Sequence, residues 1–287
     1  MLIYLNGEVV EESEARLPAR DRGVLFGDGL FETVRSYGGK PFRMDRHLAR
    51  LRRGCEELRL ALPLPDEEIE GAVGELYRLN VGEGDAYVRI TVTGGLFDGS
   101  RNMERSAPPN FFILVEPYHV YPQEFYRRGM RLALAAARRN STSPLSRLKS
   151  NNYLESLMAK QEARDREADE ALFLNERGEV AEAASANIFW SKGGLLFTPA
   201  VGCGILPGIT REAVLELCEA DCIPCEQGCY DLDALLQAEE AFLTVSTGEV
   251  VPVAEIEGRS LRGPCPGPVT SLLAHSYREL VRMELGL

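Results

Sequence analysis

The sequence predicts a mixed α/β chain of two domains, and three observations carry that expectation. Strand-like runs alternate with helical stretches through the second half. A short apolar strand at residues 111–115 runs into the segment 117–122, whose two prolines and two tyrosines read as a connector. The 287 residues, 45% of them apolar, can bury a substantial core as one large domain or two modest ones. The boundaries follow: residues 1–117 form a small N-terminal α/β domain, 118–128 the connector and 129–287 a larger C-terminal α/β domain.

The opening residues 2–10 read as a hairpin, two β-prone runs around Asn6-Gly7, the dipeptide that most readily takes a type I′ turn. Asp45 is placed to cap a helix with Leu48, Leu51, Cys55 and Leu58 on one face, and Asp66 to cap another carrying Ile69, Val73 and Leu76. Across residues 86–93 the alternation puts Val88, Ile90 and Val92 on one side of a strand and Tyr87, Arg89 and Thr91 on the other. Beyond the connector, strand-like runs at 131–137, 171–175, 187–191, 195–198 and 241–246 alternate with helical stretches at 152–163 and 210–220. A last amphipathic helix carries Val269, Leu272, Leu273, Leu280 and Val281 at helical spacing.

Composition narrows the function. A formal charge of −12 argues against nucleic acid, whose binding draws on Lys and Arg against phosphates, and favours a small-molecule substrate. Glu8 interrupts the start before any long apolar stretch develops, and no later run approaches the roughly 20 apolar residues of a membrane helix, so neither export nor membrane insertion is expected. Seven cysteines in a chain too long to need disulfide staples point to free thiols and the cytoplasm. No phosphate-loop, dinucleotide, zinc-hydrolase or serine-esterase motif is present. His47 and His275 read as ordinary helix residues. Cys218, Cys222, Cys225 and Cys229 are crowded but fall in turn on a helix, a turn, a strand and a loop, so no metal site is expected.

Five motifs carry chemistry: Phe26-Gly-Asp-Gly-Leu-Phe31-Glu-Thr; Asp45-Arg-His-Leu-Ala-Arg50-Leu; Ser143-Pro-Leu-Ser-Arg-Leu-Lys149-Ser-Asn-Asn-Tyr153; Val180-Ala-Glu182-Ala-Ala-Ser-Ala-Asn187; and Gly204-Ile-Leu-Pro-Gly-Ile-Thr210-Arg211. In this order, over nearly the whole chain, they resemble the class IV pyridoxal-phosphate aminotransferases, which include branched-chain aminotransferases, D-amino acid aminotransferases and aminodeoxychorismate lyase. The resemblance implies fold type IV, with a pseudo-barrel C-terminal domain, pyridoxal 5′-phosphate as cofactor and a homodimer. It implies that Lys149 is the Schiff-base lysine, a role that needs an amine neutral often enough to react, and that the freed amine moves the proton between the substrate α-carbon and the cofactor's C4′.

Glu182 matches the carboxylate that keeps the pyridine nitrogen protonated, and Tyr153 a position where some members place a hydroxyl near the ring oxygen. Arg50, Ile209, Thr210, Ser246 and Thr247 match the phosphate-binding set, and a helix starting near Pro207-Gly208 would add aligned amides. Phe26, Phe31, Tyr87 and Arg89 correspond to substrate-side positions. Tyr87-Val-Arg89 resembles the Tyr-x-Arg of branched-chain enzymes, whereas Phe26 stands where many of them carry tyrosine and residues 183–186 lack their common glycines. Phe26-Gly-Asp-Gly and Lys149-Ser-x-Asn lean toward the lyase and D-amino acid branches. Transamination of a branched-chain L-amino acid with 2-oxoglutarate is the first expectation, pyruvate elimination giving 4-aminobenzoate the second and D-amino acid transamination the third. Intact Lys149 and Glu182 speak against a catalytically idle binding protein.

Overall fold

A computed structural model describes residues 1–101 and 103–287. They cluster into two compact units, Met1–His119 with Leu148–Asn152, and Val120–Arg147 with Tyr153–Leu287.

In the first unit, β1 (Leu2–Leu5) and β2 (Glu8–Glu11) form a hairpin whose turn residues Asn6 and Gly7 have φ of 51° and 104°. Positive φ at both positions is what a type I′ turn requires, and Asn and Gly are the residues that tolerate it. A short helix α1 (Arg22–Phe26), capped by Asp21, leads into β3 (Gly29–Tyr37) and β4 (Lys40–Pro41). Helices α2 (Met44–Glu57) and α3 (Asp66–Asn80) precede β5 (Ala86–Thr93) and β6 (Phe111–Pro117). The sheet order is β2-β1-β6-β5-β3-β4, with antiparallel pairing.

The alternation in β5 decides which face is covered. Val88, Ile90 and Val92 are fully buried and join Val34, Ile113 and Val115 under Leu48 and Leu51 of α2 and Ile69, Val73 and Leu76 of α3. Both caps expected for these helices differ. The N-cap positions are Arg43 and Pro65, neither capping through its side chain; Asp45 lies two positions and Asp66 one position inside, in the first turn. There a carboxylate still meets the positive end of the helix dipole.

In the second unit, α4 (Gln123–Arg128) occupies part of the segment read as a connector, followed by β7 (Met130–Arg139) and α5 (Leu154–Asp165). Then come β8 (Glu170–Asn175), β9 (Val180–Ala183), β10 (Asn187–Lys192), β11 (Leu195–Pro199), α6 (Ile209–Ala220), β12 (Cys225–Gly228) and α7 (Leu232–Leu236). β13 (Glu240–Val245), β14 (Glu249–Ile256), β15 (Arg259–Ser260) and α8 (Pro268–Leu285) complete the chain.

The mixed sheet runs β12-β11-β10-β13-β14-β7-β8-β9, with β15 on β14; β7 pairs in parallel with both β8 and β14, and β11 with β12. Its last strand, β9, comes back against β10 and β11, so the sheet curls toward closure. Helix α5 covers β7 and β8, while α6 and α8 pack on β13 and on each other. In α8 the buried stripe is Thr270, Leu273, Tyr277 and Val281; Leu272, expected in that stripe, is 47% exposed. No helix among the described residues is long and apolar enough to cross a membrane.

Leu76 is fully buried and its loss leaves a cavity, whereas Leu272 faces water. We expect Leu76→Ala to lower unfolding stability by about 2–5 kcal/mol in urea titrations, and Leu272→Ala to stay within about 0.5 kcal/mol of the wild type.

Candidate active site

In the first unit, residues 149–151 run as an added edge beside β3. Phe31 N donates to Lys149 O and Asn151 N to Gly29 O, both at 2.9 Å, and Leu30 bridges Ser150. β4 pairs only with Ser36 and Tyr37, so the start of β3 offers its backbone groups to this segment. The glycines of Phe26-Gly-Asp-Gly have a steric reason. A Cβ on Gly27, which sits at φ 67°, would strike the Asn152 side chain, and one on Gly29 would strike the Asn151 side chain and the Val92 carbonyl. The lysine segment can therefore lie close to this turn.

Lys149 Nζ stands 4.6 Å from the centroid of the Phe31 ring, and the Arg89 guanidinium carbon 3.9 Å from the same centroid. Cross-strand pairing places Phe31 opposite Thr91, Thr33 opposite Arg89 and Arg35 opposite Tyr87, so these residues share one face of the sheet. Phe26 is placed elsewhere. It is 41% exposed on α1 and packs edge-on against Phe97 with Arg22 over its ring.

On the opposite face of β3, under α2, Glu32 is fully buried and takes hydrogen bonds from Arg50 Nε at 2.8 Å and Arg50 Nη2 at 2.6 Å, with His47 Nδ1 at 2.7 Å. Burial alone would push the Glu32 carboxyl up. The charge and hydrogen bonds of Arg50, joined by those of His47, outweigh it and bring it to about 2. Burial pushes the His47 imidazole down, against the pull of Glu32. His47 is thus no ordinary helix residue: with Glu32 it fixes the guanidinium of Arg50. The His47-x-x-Arg50 spacing, one helical turn, was the legible signal; the buried acid on a different element was not.

In the second unit, Glu182 lies on β9 at 8% exposure. Its Oε2 accepts from Leu206 N at 3.0 Å and Asn187 Nδ2 at 3.2 Å, and Arg139 Nε stands 3.8 Å from Oε1. Asn187 also donates to Leu206 O at 2.9 Å, so one amide ties β10 and the 204–208 loop to the carboxylate. Tyr153 is half-buried and donates its hydroxyl to Ala184 O at 3.1 Å; burial, then the nearby Glu170 and Glu182, raises its phenol, which stays protonated.

Helix α6 begins at Ile209 and Thr210, both buried, and its N-cap Gly208 supplies no side-chain bond to the first turn. A Cβ on Gly208 would collide with Asn187 Oδ1. Ser246 and Thr247 form the turn between β13 and β14. Two positions back, the buried Thr244 hydroxyl, opposite Asn187 in the ladder, lacks a hydrogen-bond partner.

A family model described as amino-transferase class IV matches residues 29–256. The chain belongs to the class IV aminotransferases. The chain is 36% identical, over 100% of its own length and 98% of the relative's, to a Methanocaldococcus jannaschii protein bearing a provisional branched-chain-amino-acid aminotransferase name. It is 34% identical to the aminodeoxychorismate lyase of Bacillus subtilis (98% and 95% covered) and 33% to the D-alanine aminotransferase of Bacillus licheniformis (99% and 98%). Among solved structures, the branched-chain aminotransferase of Thermoproteus uzoniensis with norvaline superposes with a TM-score of 0.90 at 33% identity, covering 98% of this chain and 94% of that one. The fold is that of the fold type IV enzymes, and the cofactor is pyridoxal 5′-phosphate.

Each unit carries residues whose chemistry suits that cofactor. In the first unit a lysine amine lies over an aromatic ring; in the second, taken by itself, a buried carboxylate accepts from Leu206 N and Asn187, a twelve-residue helix presents an N-terminus with no side-chain cap, and the Thr244 hydroxyl is buried without a hydrogen-bond partner. An aldehyde, a protonated ring nitrogen and a phosphate are the groups such partners accept.

Two outcomes follow. Glu32→Gln removes a charged partner of a buried guanidinium and should destabilise the first unit by about 3–5 kcal/mol, read by denaturant titration. In the wild type, the depressed Glu32 gives stability that is complete above its ordinary pKa near 4.5 and lost as pH falls through about 2, so acid titration should show a loss in that window that the variant lacks. Gly208→Ala should weaken cofactor retention at least tenfold, measured by equilibrium dialysis, because the new methyl displaces Asn187 from Glu182.

Proposed function

We propose that this enzyme transfers the amino group of a branched-chain L-amino acid to a 2-oxo acid such as 2-oxoglutarate. The observation that carries the reading is the first-unit face on which Lys149, Phe31 and Arg89 meet. A guanidinium there offers two parallel donors to an α-carboxylate, and the Phe31 ring, 5% exposed, offers an apolar surface rather than a second charge. The branched-chain relatives named above support it.

When bound, pyridoxal phosphate supplies an aldehyde for the amine and a ring that withdraws electrons from the α-carbon. Lys149 is the residue that anchors it and, once displaced, the base whose Nζ takes the α-proton. Glu182 holds positive charge at the ring nitrogen, fixed by Leu206 N and Asn187. Arg50, held by Glu32, is the first unit's phosphate ligand in this reading; the second unit's are the first-turn amides of Ile209 and Thr210 and the hydroxyls of Thr210, Ser246 and Thr247. Tyr153 stays a neutral donor on the ring side. Arg89 orients the carboxylate, with Tyr87 beside it; Phe31 and, less directly, Phe26 line the substrate side. A homodimer in the cytoplasm completes the reading.

A second reading, elimination of pyruvate from aminodeoxychorismate, is favoured by the lyase relative at nearly equal identity and by the absence of a hydroxyl at Phe26. D-amino acid transamination draws on the D-alanine relative.

Purified enzyme should be yellow, and borohydride should fix the cofactor to the peptide carrying Lys149; Lys149→Ala should be colourless, with activity reduced by at least about 10³-fold. Holoenzyme mixed separately with L-leucine, D-alanine and aminodeoxychorismate should release 2-oxo acid from L-leucine. Turnover of D-alanine alone, or 4-aminobenzoate from the third arm alone, would overturn the substrate assignment.

A further inference from the structure

Two cysteines that the proposed chemistry leaves unused lie side by side in the second unit. Cys203 ends the turn after β11 and Cys229 follows β12 directly. The backbone brings them together: β11 and β12 pair in parallel up to Pro199 opposite Gly228, and Ala200 N continues the ladder to Gly228 O at 2.9 Å. The two sulfurs are 3.3 Å apart, and the Cys203 thiol also faces Gly228 O at 3.5 Å. Cys203 is fully buried, while Cys229 is exposed.

We propose that Cys203 and Cys229 form a reversible disulfide, making the ends of β11 and β12 a thiol-oxidation site. A formed bond measures about 2.05 Å, so the sulfurs must close by roughly 1.2 Å, within reach of small side-chain rotations. The oxidant is a small-molecule disulfide, RSSR. The exposed Cys229 thiolate attacks one of its sulfurs, breaking the S–S bond and releasing one RSH once the leaving thiolate takes up a proton. The Cys203 sulfur then attacks Cys229 Sγ, gives up its own proton and expels the second RSH. Two thiols are oxidised, one external disulfide is reduced, and two RSH leave.

The second step is the slow one. Burial, and the neighbouring Cys229, push the Cys203 thiol up to about 12, so little of it is thiolate at neutral pH. A mixed disulfide on Cys229 therefore precedes the internal bond.

A metal ion is the competing use of the cluster, because the Glu179 carboxylate lies within 4.8 Å of both sulfurs. That carboxylate already takes Arg177 Nη2 at 2.7 Å and Asn175 Nδ2 at 2.7 Å. A cation would have to bind beside a guanidinium, and thiol chemistry would not. Cys218 and Cys225 also hydrogen-bond to one another, but neither is exposed to meet an oxidant.

The test treats holoenzyme with glutathione disulfide and maps peptides without reduction. A transient glutathione adduct on Cys229 should give way to a peptide joining Cys203 to Cys229, released by dithiothreitol. Closing a loop from residue 203 to residue 229 should raise the thermal midpoint by about 5 °C. Cys229→Ser, at an exposed position, should fold, lose the linked peptide and lose the rise; Cys203→Ser should stop at the adduct. A permanent adduct on wild-type Cys229, a bond joining Cys218 to Cys225 with Cys203 free, or zinc that copurifies and shields both sulfurs would each overturn the proposal.

Discussion

The backbone ladder between Gly29–Phe31 and Lys149–Asn151 is the interaction on which the placement of Lys149 in the first unit depends. A lysine on a free loop would have no fixed direction for its side chain. Here two main-chain hydrogen bonds fix its backbone to a sheet edge, and its side chain reaches the Phe31 ring beside the Arg89 guanidinium. Three properties of the sequence converge on this: a β-strand whose first half lacks a hairpin partner, glycines at 27 and 29 that leave room for asparagine side chains, and apolar residues beneath that hold the strand rigid.

The same strand organises a second set of groups through its period of two. Odd positions carry Phe31 and Thr33 toward Arg89; even positions carry Glu32 under α2, toward His47 and Arg50. A single buried carboxylate is costly by itself, and it is retained because two basic side chains one helical turn apart satisfy it. The second unit solves the matching problem differently. Glu182 accepts from two neutral donors, Leu206 N and the Asn187 amide, and has Arg139 at 3.8 Å.

Much of the fold could be read from local rules. Asn6-Gly7 announced its turn, β5 its alternation, α3 its apolar stripe, and the motif around Lys149 its family. What escaped reading depended on tertiary contacts. Asp45 and Asp66 looked like caps because they precede apolar periodicity, yet the chain enters each helix one residue earlier or more. His47 looked inert because its partner lies fifteen residues away on another element. Leu272 shares the hydropathy of Leu273 but not its direction. The cysteine crowding at 218–229 was visible, whereas Cys203, whose sulfur lies against Cys229, is 26 residues from it in sequence and meets it only through the parallel pairing of β11 with β12.

The five residues Leu148–Asn152 belong by packing to the unit formed by Met1–His119, although their chain neighbours on both sides belong to the other. Severing the chain near residue 120 would therefore leave an N-terminal fragment with an open strand edge and no lysine to occupy it. The piece that carries Lys149 would lack its shelf. Fragment complementation or domain exchange among relatives must accordingly move 148–152 together with β3, as though the two were one element interrupted by the chain.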